Sequence, residues 1–183
     1  MIRFAPDGAL RVALLATATL AADAGAQGIT LAGGARLYDG GDGESATMVA
    51  VRTEFPIGTS ALLEFASSLS DVPEPARSGV RSVFEAQVQL PIRLGDVLTP
   101  YFGVGGGIGN VNRVSPGDDS GWKGVLSFST GVRVALARQL GVVLDARYRG
   151  IGAELTGSHV DVTAGLRYSL QHPDRARSRA ARP

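Results

Sequence analysis

The chain contains no cysteine, which excludes a disulfide framework and the lipidated cysteine of a lipoprotein anchor. Lysine is nearly absent too: Lys123 stands alone among 18 basic residues, the rest being arginine. A solvated surface usually carries more lysine than this, so the arginines call for another setting. The formal net charge of +1 provides no electrostatic footprint for nucleic acid, and none is expected as a partner. Long apolar runs are missing as well. The longest, Val12 to Ala22, falls well short of the ~20 residues that a spanning helix requires.

That run is informative where it stands. Arg3 and Arg11 precede it, and Ala24-Gly25-Ala26 follows with small residues at the positions a signal peptidase reads. Residues 1–26 are therefore expected to be a secretory signal peptide, cut before Gln27. The mature part, 27–170, alternates with period two almost throughout, and the alternation stops at Gln171. The remainder, 171–183, has four arginines, one aspartate and no apolar periodicity, the composition of a disordered basic tail.

Eight strands are expected, over 28–38, 46–55, 61–69, 80–90, 98–110, 125–136, 142–149 and 158–170. The breaks between them alternate long and short, with tight ones at 56–59, 91–96 and 137–139. All long loops then lie at one end and all tight turns at the other. An up-and-down antiparallel sheet of eight strands can close on itself and lose its edges.

One face of each strand is apolar. The other gathers Arg36, Arg52, Glu54, Glu64, Arg81, Glu85, Arg133, Asp145, Arg147, Arg149, Asp161 and Arg167, interleaved with glycines such as Gly103, Gly105, Gly107 and Gly131. If the apolar face points outward, these charges can pair in a narrow lumen, and the small residues leave room for arginine stems. The reverse assignment describes a secreted soluble lipocalin-like barrel that binds a small apolar ligand; it would leave the glycines unsupported on exposed strands. The apolar-outward assignment is favoured. It makes Val134 lipid-facing, and Val134→Arg is expected to impair insertion, because a lipid-facing arginine costs ~2–4 kcal/mol at mid-bilayer.

Two passages carry a resemblance. Thr99-Pro100-Tyr101-Phe102 followed by alternating glycines to Gly109, and Thr163, Gly165, Tyr168 and Leu170 in the last strand, are similar to the outer-membrane β-barrel family of small eight-stranded OmpA/OmpX-type proteins. The resemblance covers about 28–170. It implies a transmembrane β-barrel in the bacterial outer membrane, surrounded by lipid and lipopolysaccharide, with the last-strand residues acting as a signal to the insertion machinery. Tyr38, Tyr101, Trp122, Tyr148 and Tyr168 are the candidates for interfacial girdles.

Chemistry in the chain is sparse. His159 lies at the loop end of the last strand with Asp161 on the same face, where the carboxylate could orient the ring. Some relatives of such barrels are lipid-modifying enzymes, but Ser158 points to the opposite face, and a lumenal or rim histidine is the expectation. No catalytic residue, cofactor or metal is assigned. The acidic loop groups Asp39, Asp42, Glu44, Asp71, Glu74, Asp118, Asp119 and Glu154 lack the twelve-residue calcium pattern. Gly103 to Gly109 lies within a strand with no helix after it, unlike a dinucleotide site. The function expected is a non-enzymatic outer-membrane barrel with a side-chain-filled lumen, acting in envelope structure or surface interaction through its loops, with host or surface ligands as partners and no general diffusion pore.

Overall fold

The computed structural model of the protein describes residues 28–38, 45–71, 78–113, 121–152 and 158–170. The signal segment, the basic tail and the loop carboxylates apart from Asp71 lie outside the described residues. The described residues form eight strands: β1 (Gly28–Tyr38), β2 (Ser45–Ile57), β3 (Ala61–Ser70), β4 (Ser78–Pro91), β5 (Leu98–Arg113), β6 (Gly121–Ala135), β7 (Leu140–Ile151) and β8 (His159–Ser169). Each pairs antiparallel with its neighbours in chain order, and β1 closes on β8 from Gly28↔Ser169 to Tyr38↔His159.

Closure follows from the patterning. A sheet apolar on one side throughout must bury that side or turn it to lipid, and a closed cylinder leaves no unpaired backbone edge. The strands are 10 to 16 residues long, enough to cross the hydrocarbon layer when tilted, which takes about 9–11 residues. The tight connections fall at the end of the barrel where β1 begins and β8 ends. Two of them turn on glycines with positive φ, Gly58 at 63° and Gly95 at 76°, a conformation that side chains with a Cβ rarely adopt.

Alternation sorts the faces as the residue pattern predicts. Leu31, Phe102, Val104, Ile108, Phe128, Leu144 and Leu166 stand on the outer wall, with Leu31 62% exposed and Leu166 59%. Arg36, Arg52, Glu54, Glu64 and Asp145 are buried inside. This is the reverse of what a soluble lipocalin-like barrel needs.

Four expectations are corrected. The break between the fifth and sixth strands is shorter than expected, because β5 runs to Arg113 and not to 110, and β6 starts at Gly121 and not at 125. The reason lies inside: Val80, Val83, Val111, Val125 and Ile151 pack together as an apolar cluster on the inner side of β4 to β7, towards the loop end. Burial of that cluster continues the strands past their polar residues.

Arg81 does not join the lumenal charges. The register between β4 and β5 shifts at Val80/Ser82, so Val80 pairs with Val111, Ser82 with Asn110, and Arg81 is the extra residue of a bulge. Its side chain is exposed on the outside. A bulge adds one residue to the count, so Val80 and Val83 can both point inward although their numbers differ in parity.

The girdle set shrinks: Trp122, Tyr148 and Tyr168 are exposed on the outer wall, whereas Tyr101 is buried in the lumen and Tyr38 packs towards His159. Val134 is on the outer face but one residue from the end of β6, so it sits at the rim of the wall rather than at its middle.

Candidate functional site: the lumenal charge network

Period-two spacing on β7 puts Asp145, Arg147 and Arg149 in a column on the inner wall, and Glu64 on β3 and Glu85 on β4 reach it across the barrel. Arg147 donates through Nη2 to Glu64 Oε1 at 2.7 Å and through Nη1 to Glu85. Arg149 grips Glu85 with Nε at 3.0 Å and Nη2 at 2.6 Å, and its Nη1 meets Asp161. Arg36 completes the loop-end part of the network. It donates to both oxygens of Asp161, at 2.8 and 3.0 Å, and also to the Val80 carbonyl, Ser68 and Ser70.

The same column leads towards the turns. Asp145 accepts from the Tyr101 hydroxyl at 2.5 Å, and its Oδ1 lies 3.0 Å from Arg52 Nη2 and 3.4 Å from Arg147 Nε. Arg52 also donates to Thr163 Oγ1 at 2.8 Å. The Arg133 guanidinium lies over the Tyr101 ring, 4.1 Å from its centroid, an attractive cation–π geometry. Glu54 then accepts from two arginines: Arg133 through Nε at 3.1 Å and Arg167 through Nε at 2.9 Å.

Eleven of the twelve charged residues expected on the inner face thus form ion pairs there, with members from seven strands, and Tyr101 of β5 links the Arg167–Glu54–Arg133 group to the pairs that run from Asp145 to Arg36; Arg81 is elsewhere. Buried charges are tolerated only in such company, since removing one partner of a buried pair typically costs about 3–5 kcal/mol. The lumenal glycines make room for it. A Cβ on Gly131 would come within 2.5 Å of the Tyr101 hydroxyl and closer still to the Leu144 carbonyl.

Several polar residues escaped the charge-based reading. Gln87 donates to Ser127 at 2.7 Å and accepts from Ser129 at 2.8 Å, tying β4 to β6 across β5. Gln89 accepts from Arg133. They share the inward parity of Glu85, which was the signal available in the sequence.

His159 is buried, with its ring 6.0 Å from that of Tyr38. Its Nε2 is 3.8 Å from Asp161 Oδ1, too long for a hydrogen bond, and both oxygens of Asp161 are taken by Arg36 and Arg149. Asp161 therefore serves the arginines instead of orienting the histidine. Ser127 and Ser129 are held by Gln87, not by His159. Of the last-strand residues, Thr163 faces inward, Gly165 lies against Leu31 and Ala32 of β1, and Tyr168 and Leu170 are exposed. The Tyr168 hydroxyl and Gln139 Oε1 are 3.1 Å apart.

An apolar wall around a charged, side-chain-crossed interior is the construction of a small membrane barrel. Known structures agree. Neisserial surface protein A is similar at 13% identity and a TM-score of 0.65 over 78% of this chain and 96% of that one. The N-terminal β-barrel domain of Pseudomonas aeruginosa OprF matches at 10% identity and 0.59 over 79% and 99%. The outer membrane enzyme PagL matches at 13% and 0.50 over 77% and 98%. No family model and no curated protein sequence matches the chain. The protein has the fold of the small eight-stranded outer-membrane β-barrels.

Proposed function

We propose that this chain is an integral protein of the bacterial outer membrane, exported with cleavage after Ala26, whose barrel is a rigid scaffold for surface loops rather than a pore or an enzyme. The observation that supports this reading is the lumenal charge network: side chains from seven strands meet there in ion pairs, Tyr101 of β5 links them, and an apolar cluster packs inside the barrel towards the loop end. An eight-stranded barrel has an interior only wide enough for side chains, so general diffusion is not expected. Between residues 27 and 170 the long loops carry eight of the fourteen acidic groups, and they are the surface offered to host or environmental ligands. One similar structure bears the name of a surface protein, which is consistent with that role.

In this reading outer-membrane lipid and lipopolysaccharide surround the wall, and Thr163, Gly165, Tyr168 and Leu170 are the signal recognised by the insertion machinery. The basic tail hangs on the periplasmic side. Two measurements test the proposal together. The protein should fractionate with the outer membrane as a heat-modifiable band, and purified barrel in a planar bilayer should leave the conductance at the bare-membrane level. A detergent-free periplasmic monomer, or discrete conductance steps, refutes it.

A further inference from the structure

The two ends of the lumen differ. Towards the loops the valine and isoleucine cluster packs inside it, and at the turn end it opens into a vestibule of about 640 Å³. That volume lies within the range of ligand pockets, roughly 300–1,000 Å³. Arg93, Arg133, Arg138 and Arg167 line it, with Asp96 as the only carboxylate among the lining residues and Glu54 just inside.

The charges there do not balance. Glu54 is shared by Arg133 and Arg167, so one carboxylate answers two guanidiniums, while Arg93 and Arg138 add two more at the exposed rim. Arg133 is more than nine-tenths buried, yet its Nη1 has no hydrogen-bond partner. Elsewhere in the lumen the described arginines and carboxylates alternate closely; among the described residues it is this end that carries surplus positive charge beside open space.

We infer that the vestibule is a binding site for a multivalent phosphate-type oxyanion. Guanidinium forks match the paired oxygens of such a group, and an anion between Arg93, Arg138 and the Arg133–Arg167 pair supplies the missing negative charge. The vestibule lies among the turns, and its arginines Arg93 and Arg138 are exposed at the end of the barrel, so the proposed ligand is a soluble species rather than a bilayer headgroup. That this end faces the periplasm rests on the proposed membrane orientation, but binding itself does not.

The test is calorimetric titration of the full-length, folded chain in octyl glucoside, a detergent without phosphate, using sodium pyrophosphate at low ionic strength. Saturable 1:1 binding is expected, weakening as salt is added. In Arg93→Ala/Arg138→Ala it should weaken about tenfold, equivalent to ~1.4 kcal/mol. Arg81→Ala, on the outer wall at the other end, should leave it unchanged. Absence of saturable binding, or equal binding by the double variant, overturns the inference. Dihexanoyl phosphatidylglycerol below its micellar concentration distinguishes the sources: preference for it over pyrophosphate overturns the soluble ligand. Should the double variant not fold, the side-chain nitrogen resonances of Arg133 and Arg167 in the unaltered protein decide. They shift on adding pyrophosphate if the site is real, and stay in place if it is not.

Discussion

Glu85→Gln is the perturbation that most sharply weighs the lumenal network. Glu85 accepts three hydrogen bonds from two buried arginines, Arg149 through Nε and Nη2 and Arg147 through Nη1. Glutamine keeps the shape but offers one acceptor oxygen, and its amide turns donor against donor towards a guanidinium. Neither arginine is wholly stranded, since Arg147 retains Glu64 and Arg149 retains Asp161. The loss should therefore fall at the lower end of the ~3–5 kcal/mol typical of a broken buried pair, at about 3 kcal/mol.

The chain supplies its own probe for this. Trp122, the lone tryptophan, stands on the outer wall with 54% of its surface exposed, so its emission reports passage between lipid and water. Equilibrium urea unfolding and refolding in lipid vesicles gives the stability difference directly. A companion cycle with Arg149→Gln should yield a coupling of at least ~1 kcal/mol, because the two residues touch. If Glu85→Gln lies within ~1 kcal/mol of the parent and the coupling vanishes, the network does not hold the barrel together and the reasoning fails.

Other substitutions probe the remaining structure. Phe128→Arg, at the centre of β6 on the outer wall, should cost ~2–4 kcal/mol in the same vesicle assay, whereas Val134→Arg near the strand end should cost ~0–1 kcal/mol. Equal costs at both positions would argue against a bilayer centred on the barrel wall. Gly131→Val places carbon against the Tyr101 hydroxyl and the Leu144 carbonyl, and should abolish the heat-modifiable folded band; a folded variant of normal stability would mean that the close approach of β6 and β7 is not needed. Tyr168→Ala leaves the lumen intact, so its folding into pure lipid should be near normal while assembly in cells slows severalfold. Unchanged assembly in cells would remove the last strand's role as an insertion signal.

Much of this was readable from residue order. Alternation in β7 alone, with Val142 and Leu144 on one face and Asp145, Arg147 and Arg149 on the other, defines a strand with a lipid side and a charged side. The succession of tight and long breaks orders the strands, because neighbours in an up-and-down sheet are neighbours in sequence. What escaped depends on three-dimensional closure or on a single inserted residue.

Arg81 illustrates the second case: nothing in Val80-Arg81-Ser82-Val83 marks the bulge, and one residue changes which side chains face in. The pairings illustrate the first. That Arg133 would find Glu54, 79 positions away, or that Asp161 would be claimed by Arg36 and Arg149 before His159, follows from how far the strands are staggered around the cylinder. The apolar cluster of Val80, Val83, Val111, Val125 and Ile151 was hidden for the same reason, since its members come from four strands and sit among polar loop residues.

The absence of cysteine makes the most direct measurement clean. Single cysteines placed at Leu144 on the outer wall and at Ser129 in the lumen can each carry a spin label without interference from native thiols. In lipid vesicles the label at 144 should collide freely with dissolved oxygen and little with a water-soluble nickel chelate, as expected for a side chain in hydrocarbon. The label at 129 should be immobilised and shielded from both reagents. Strong nickel access at 144 would place the apolar face in water and turn the barrel inside out.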